Sequence, residues 1–164
     1  MTSTGRAQVD RPKFVCGAVA GRIDLPESLL EQARLTAQAH YEEMKAQEFS
    51  GHDVEDLALP AWLPKIEDWF PAADVRALGF RLKPGAQPLM YATCDAAPHE
   101  DDIHQWSLIL VLHNDGLRFK QRRVSHKTAA GEWFIFDDRI EHEVRSYEKT
   151  TTYLLLSVQL EKLD

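Results

Sequence analysis

The chain has 164 residues, of which 44% are hydrophobic and 27% charged, and its formal net charge is −7. This length suffices for one domain with a buried core, and no apolar run approaches the roughly 18 residues of a membrane-spanning helix. The acidic balance makes nucleic acid an unexpected partner, because affinity for a phosphate backbone comes mainly from Lys and Arg.

The first part of the chain is predicted to be helical, after a polar start over residues 1–24 that is expected to be partly disordered. Residues 25–47 lack glycine and are rich in Ala, Leu, Glu and Gln. Their apolar residues recur every three or four positions, which predicts an amphipathic helix. These residues are Leu30, Ala33, Ala37, Tyr41 and Met44. Residues 49–64 are predicted as a loop and 64–70 as one or two helical turns, so that 25–73 supply supporting helices.

From about residue 74 the pattern changes to a period of two, which indicates strands. The predicted strands are 75–82, 89–93, 106–113, 117–124, 132–137, 142–147 and 151–160. Turn signals separate them, and Asn114-Asp115-Gly116 is a strong marker of a β-hairpin. This order predicts a single domain over 1–164 that is mainly β, with a sandwich or barrel at 74–164 and helices packed outside it.

Only two cysteines are present, Cys16 and Cys94. They are too few for a disulfide framework, and the sequence shows no signal peptide. A reducing cytoplasm is therefore the expected location.

Histidines and carboxylates crowd into the stretch "PHEDDIHQW". In an extended chain His99 and Asp101 share one face, whereas Glu100 and Asp102 point away. A third ligand is available from His142, which follows the apolar run "EWFIF". Two histidines and one carboxylate on one side of a metal form the facial triad of non-haem Fe(II) oxygenases.

Three stretches together carry a family resemblance: "YATCDAAPHED" (91–101), "SLILVLHNDG" (107–116) and "GEWFIFDDRIEHEV" (131–144). Over roughly residues 75–160 the chain resembles the Fe(II)/2-oxoglutarate-dependent dioxygenases of the prolyl-hydroxylase-like branch. The resemblance implies a double-stranded β-helix, a jelly-roll or cupin-like barrel, preceded by an N-terminal helical segment. It also implies a hydroxylase that consumes 2-oxoglutarate and O₂ and releases succinate and CO₂.

The resemblance implies that His99, Asp101 and His142 bind Fe(II). Neutral imidazole and carboxylate suit a redox-active divalent iron. Tyr91, eight residues before the first ligand, falls near a tyrosine that hydrogen-bonds 2-oxoglutarate in relatives. The substrate is expected to be a small molecule or a side chain, with no membrane involved.

The chain departs from the family at the cation that pairs with the far carboxylate of 2-oxoglutarate. Relatives carry it about ten residues after the distal histidine, where this chain has Thr152. A buried dicarboxylate needs such a cation. Arg118 and Lys120, helped by the Thr152 hydroxyl, are predicted to replace it, since Arg145 is expected to face away and Lys149 to lie in a turn.

Two other functions fit the same residues. A cupin-like metal protein without 2-oxoglutarate chemistry would use His104 together with His99, and a non-catalytic β-barrel binding module would retain only the fold. The basic residues of 118–123 have two interpretations as well, a solvated edge strand or an anion-binding face.

Overall fold

The computed structural model describes residues 13–46, 53–101, 105–146 and 152–164. Its helices are α1 (Glu27–Ala46), α2 (Ile66–Trp69) and α3 (Ala72–Ala77). Its strands are β1 (Val19–Arg22), β2 (Asp53–Leu57), β3 (Phe80–Leu82), β4 (Leu89–His99), β5 (Trp106–His113), β6 (Leu117–Gln121), β7 (Val124–His126), β8 (Glu132–Asp137), β9 (His142–Ser146) and β10 (Tyr153–Lys162). None of the helices in these ranges has the length and apolar character to cross a membrane.

The strands form a nearly closed antiparallel barrel in the order β1-β8-β5-β10-β4-β9-β6-β7. β4 belongs to both walls, because its first half pairs with β10 and its second half with β9. β2 pairs with β4, and β3 pairs with β10. The larger sheet contains β1, β8, β5, β10 and the first half of β4, with β2 and β3, and the smaller sheet contains the second half of β4 with β9, β6 and β7. From β5 onwards the chain passes repeatedly between these two facing sheets, except that β6 and β7 form a hairpin within the smaller one. This arrangement is the double-stranded β-helix. The predicted fold class, with a helix ahead of the barrel, is confirmed.

Two apolar layers flank the larger sheet, and β10 shows how its side chains divide between them. Leu154 and Leu156 face the layer beneath α1, whereas Tyr153 and Leu155 face the inside of the barrel. In α1 the small side chain of Ala33 is fully buried, so the helix lies close to the sheet. Alternate side chains of β10 therefore pack into two different hydrophobic cores, one on each face of the strand.

Several secondary-structure predictions were wrong. Residues 117–124, predicted as one strand, form β6 and the start of β7, with a turn at 122–123 between them. Residues 75–77 belong to helix α3, and β3 begins only after Gly79, whose φ of 92° ends the helix. Residues 53–57, predicted as loop, form β2. Residues 19–22, for which no strand was predicted, form β1. Both β1 and β2 are bound through backbone hydrogen bonds to a partner strand.

The Asn114-Asp115-Gly116 turn does not make a hairpin, contrary to prediction. β5 pairs with β10 and β8, whereas β6 pairs with β7 and β9, so the turn carries the chain from one sheet to the other. The Asn114 side chain accepts from Leu117 N at 3.0 Å. It also donates to the carbonyls of Leu117 and Thr128 at 2.9 and 2.8 Å. The turn is therefore a crossover between the two sheets, and the hydrogen bonds of the Asn114 side chain stabilise it.

The segment before β1 lies across the barrel and is held in part by a histidine. His126 Nε2 donates to Gly17 O at 2.5 Å, and Gly17 N donates to Ile135 O at 2.8 Å. Burial lowers the pKa of His126, although the Gly17 carbonyl and Glu132 act in the opposite direction.

The lowered pKa of His126 gives an expected pH dependence of stability. In the unfolded chain His126 returns to its ordinary pKa of about 6.5, so the unfolded state binds more protons and the folded state loses stability as the pH falls below that value. A His126→Gln variant should therefore lose less stability than the wild type between about pH 7 and pH 5 in urea unfolding. An unchanged pH dependence in the variant would contradict this assignment.

Candidate metal centre

The barrel brings the two ends of the predicted metal motif side by side. β4 ends at His99 and β9 begins at His142, and these two residues are direct Cα partners in the antiparallel ladder. Asp101 follows two residues after β4, and its backbone N–H donates to Asp138 O at 2.9 Å. Residues more than 40 positions apart in sequence thus meet at one edge of the barrel.

The three side chains form a group able to hold a metal ion, with one ligand atom from each inside a 4.8 Å span. Asp101 Oδ2 lies 3.3 Å from His142 Nε2 and 3.7 Å from His99 Nε2. The side chain of His142 is 7% exposed, that of His99 is 26% exposed and that of Asp101 is 47% exposed. The group is therefore anchored in the barrel by His142 and open to solvent at Asp101.

Backbone carbonyls set the tautomer of both imidazoles. His99 Nδ1 lies 2.7 Å from Ala97 O, and His142 Nδ1 lies 2.9 Å from Ile140 O. A carbonyl oxygen can only accept, so Nδ1 carries a proton in each ring, and Nε2 is the nitrogen that holds the lone pair in the neutral imidazole. Those lone pairs are on the nitrogens that face Asp101, which is the usual arrangement of metal-binding histidines.

The protonation of His142 also suits a metal ligand. Burial lowers its pKa, and the neighbouring His99 acts in the same direction, whereas the Ile140 carbonyl and Asp101 oppose the shift. A neutral imidazole is the form that binds metals. The donor set of two imidazoles and one carboxylate fits Fe(II) and similar divalent ions.

Of the carboxylates next to His99 and Asp101, the structure describes only Glu100, and its side chain lies as the alternation predicts. Glu100 is exposed and outside the group. Asp102 and His104, the rival ligand, lie outside the described residues, as does Lys149. His113 and His126 are not among the grouped side chains.

The metal group lines a cavity of about 290 Å³ inside the barrel. Its walls are largely apolar, formed by Ala96, Ile109, Phe119, Phe134, Phe136, Val144 and Leu155. Its polar lining consists of Tyr91, Thr93, Ser107, Asp138, Tyr153 and Ser157. An apolar cavity with a few polar groups beside a metal-binding group has the character of a small-molecule site.

Tyr91 is the one predicted cosubstrate contact that reaches this cavity. Burial raises its pKa, and the nearby carboxylates of Asp56, Asp101 and Asp138 act in the same direction. The hydroxyl is therefore protonated at neutral pH and can donate a hydrogen bond to a ligand.

The other three predicted contacts face away from the cavity. Arg118 donates to Ser125 on the outer face of the smaller sheet, and Lys120 lies 3.7 Å from Glu143 on the same face. Thr152 is buried on the far side of β10, where its hydroxyl lies 3.5 Å from Cys94 Sγ.

Arg118 and Lys120 share one face of β6, as predicted. This is the outer face of the barrel, because the apolar Leu117 and Phe119 occupy the inner face of the same strand. Arg145 also lies on the outer face, bound to Glu143.

Several lining residues were missed by the sequence reasoning. Asp138 is 2% exposed and accepts from Ser107 Oγ at 3.4 Å, and Tyr153 shares a 2.5 Å hydrogen bond with Thr128. Thr93 Oγ1 is buried and makes no hydrogen bond to the part of the chain that the structure describes. Because Thr152 was expected to contact 2-oxoglutarate, the alternation along β10 placed Tyr153 on the opposite face, and Tyr153 was missed for this reason. No lysine or arginine occurs among the described lining residues.

The fold and the histidine-carboxylate group together define a double-stranded β-helix with a candidate metal centre. No protein-family model matches the chain, and no curated protein matches it. Among solved structures, a prolyl-4-hydroxylase from Pseudomonas putida is 19% identical, with a TM-score of 0.45 over 82% of this chain and 88% of that one. A 2OG-Fe(II) oxygenase family oxidoreductase from Burkholderia pseudomallei is 15% identical, with a TM-score of 0.42 over 85% and 93%. A cupin-2 domain protein from Shewanella frigidimarina is 11% identical, with a TM-score of 0.36 over 74% and 91%.

Proposed function

We propose that this protein is an Fe(II)-dependent oxygenase that uses 2-oxoglutarate and O₂ to hydroxylate a small molecule or a side chain, releasing succinate and CO₂. One observation carries the proposal. His99, Asp101 and His142 converge beside an apolar cavity with both imidazole Nε2 atoms facing the carboxylate. That donor set and that neighbouring cavity are what a metal-dependent oxygenase needs.

The chain's own residues have distinct parts in this proposal. The triad holds the metal, which when bound supplies the reactivity towards O₂. Tyr91 orients a ligand through its hydroxyl. Phe119, Phe134 and Phe136 surround the reacting groups with apolar surface, which excludes water and competing reactions.

A second candidate is metal-dependent chemistry without 2-oxoglutarate, of the cupin kind. It is favoured by the outward placement of Arg118 and Lys120 and by the buried carboxylate of Asp138 in the cavity lining. A dicarboxylate that enters beside Asp138 meets a like charge, which weakens its binding unless a cation compensates.

Turnover of 2-oxoglutarate distinguishes the two candidates. The wild type, loaded anaerobically with Fe(II) and then exposed to O₂, should convert 2-oxoglutarate to succinate, and slow uncoupled turnover without a primary substrate is sufficient for detection. The His142→Ala variant should produce none. A wild type that binds Fe(II) but neither binds nor consumes 2-oxoglutarate would establish the second candidate in place of the first.

The position of the cation that would bind 2-oxoglutarate is tested by measuring the Kd for 2-oxoglutarate in substituted proteins. Since Arg118 and Lys120 face outward, Arg118→Ala and Lys120→Ala should leave the Kd for 2-oxoglutarate within about threefold of the wild type, which is well below the effect of losing a charge-assisted hydrogen bond. A Lys149→Ala variant examines a cation that precedes β10 by four positions in the sequence and lies outside the described residues. A tenfold loss in either strand variant would show that our reading of the β6 face is mistaken.

A further inference from the structure

A buried glutamine lies beside the metal centre without belonging to it. Gln121 ends β6, is 1% exposed and is the direct Cα partner of His142 on β9. Its Nε2 donates to Asp137 O at 2.7 Å and to Ile140 O at 3.1 Å. Its Oε1 accepts from Cys16 Sγ at 3.1 Å. One side chain thus binds the turn between β8 and β9 and also the N-terminal segment.

The Ile140 carbonyl connects this amide to the metal ligand. Ile140 O accepts from Gln121 Nε2 and also from His142 Nδ1, at 3.1 and 2.9 Å. A carbonyl has two lone pairs, so both donors can be accepted at once. The amide therefore fixes the position of the carbonyl, and the carbonyl fixes the tautomer and the plane of the His142 ring.

A second anchor makes this arrangement rigid. Gln121 also holds Asp137 O, and the Asp137 N–H donates to Cys16 Sγ at 3.4 Å. Both ends of the turn that precedes His142 are therefore bound to one buried amide. Such a turn cannot shift without breaking a buried hydrogen bond, and a lost partner at a buried carbonyl is costly.

We propose that Gln121 is a positioning residue for the metal centre, which holds the Ile140 carbonyl so that His142 presents Nε2 to the metal. This inference rests on the proposed function, because it presupposes that the triad binds a metal. Residues of this kind, which act through a ligand, typically change metal affinity by about 10- to 100-fold when they are replaced.

The decisive substitution is Gln121→Glu, which keeps the shape of the side chain. An ionised carboxylate only accepts hydrogen bonds, so it would face two carbonyl oxygens and lose both donors. Gln121→Met removes the amide without adding charge and serves as the second variant. Asn114→Asp is the matched control, because Asn114 also donates to two carbonyls, at the Leu117 end of the same strand.

The experiment measures the Kd for Co(II), the d–d absorption spectrum of the Co(II) complex and the thermal midpoint of unfolding. Both Gln121 variants should bind Co(II) at least about tenfold more weakly than the wild type and should show an altered spectrum. Asn114→Asp should lose thermal stability but keep the wild-type Kd and spectrum. Nitrogen-15 spectra of the histidine rings in the metal-free protein should show His142 as the Nδ1–H tautomer in the wild type and as a mixture of tautomers in Gln121→Glu.

Two results would overturn the inference while leaving the proposed function intact. One is a folded Gln121→Glu or Gln121→Met protein with wild-type Co(II) affinity and spectrum. The other is an equal loss of affinity in Asn114→Asp, which would make the effect one of general stability. A wild type that binds no Co(II) would instead remove the proposed function, and the ring spectra would still report whether Gln121 sets the tautomer of His142.

Discussion

Alanine at His99, Asp101 or His142 is expected to abolish specific binding of one Mn(II), a surrogate for Fe(II), with losses above about 100-fold. This exceeds the 10- to 100-fold typical of residues that only support a ligand, because a directly bound donor is removed. Isothermal titration under anaerobic conditions measures the stoichiometry and the Kd. His142→Ala should have the additional effect of leaving a small cavity next to Phe119 and Phe136, whose rings lie near the imidazole.

The controls for this prediction come from the same short segment. Glu100→Ala should bind Mn(II) like the wild type, because Glu100 is exposed and outside the grouped atoms. His104→Ala separates the proposed triad from the cupin-like arrangement, since a complete loss of metal in a folded His104→Ala protein would favour the latter. Equal losses at Glu100 and Asp101 would contradict the facial arrangement altogether.

The strands that could be predicted are those that bury apolar side chains. β5 and β8 have the predicted bounds of 106–113 and 132–137, because their hydrophobic runs are bracketed by turn residues. β1 and β2 were missed because they join the sheet edges through backbone hydrogen bonds, and most of their described side chains are not buried. Backbone pairing of this kind leaves no periodic trace in the sequence.

The residues of the metal group could be predicted from the sequence for a different reason. The alternation that puts His99 and Asp101 on one face is local, and the distal His142 was suggested both by the apolar run before it and by the family resemblance. Alternation alone cannot say which face of a strand turns inward, and this is why Arg118 and Lys120 were placed in the cavity. Leu117 and Phe119 alternate with Arg118 and Lys120 and therefore occupy the opposite face of β6. Since apolar side chains fill the barrel, these two residues indicated which face turns inward.

The inner cavity cannot be derived from any local pattern, because its lining comes from six strands that are distant in sequence. Asp138 and Ser107 are 31 residues apart yet hydrogen-bonded. Their meeting depends on the pairing of β5 with β8, which brings Ser107 opposite Phe136. Such a site becomes visible only when the register of every strand is known.

Filling that cavity should separate ligand binding from metal binding. Ser157 lies on the inward face of β10 and lines the cavity. A Ser157→Leu variant would place a branched side chain into a space of about 290 Å³. Protein interiors yield little to added volume. We expect the Kd for 2-oxoglutarate to rise about 100-fold or more, equivalent to roughly 2.7 kcal/mol, with Mn(II) affinity within about threefold of the wild type.

Gln159→Leu is the matched control, because Gln159 shares the strand and the face of Ser157 but does not line the cavity. It should bind both Mn(II) and 2-oxoglutarate like the wild type. If both variants lose 2-oxoglutarate equally, the effect belongs to β10 as a whole and not to the cavity. If a folded Ser157→Leu protein binds 2-oxoglutarate normally, the cosubstrate does not enter this cavity, and the carboxylate of Asp138 then has no bearing on its recognition.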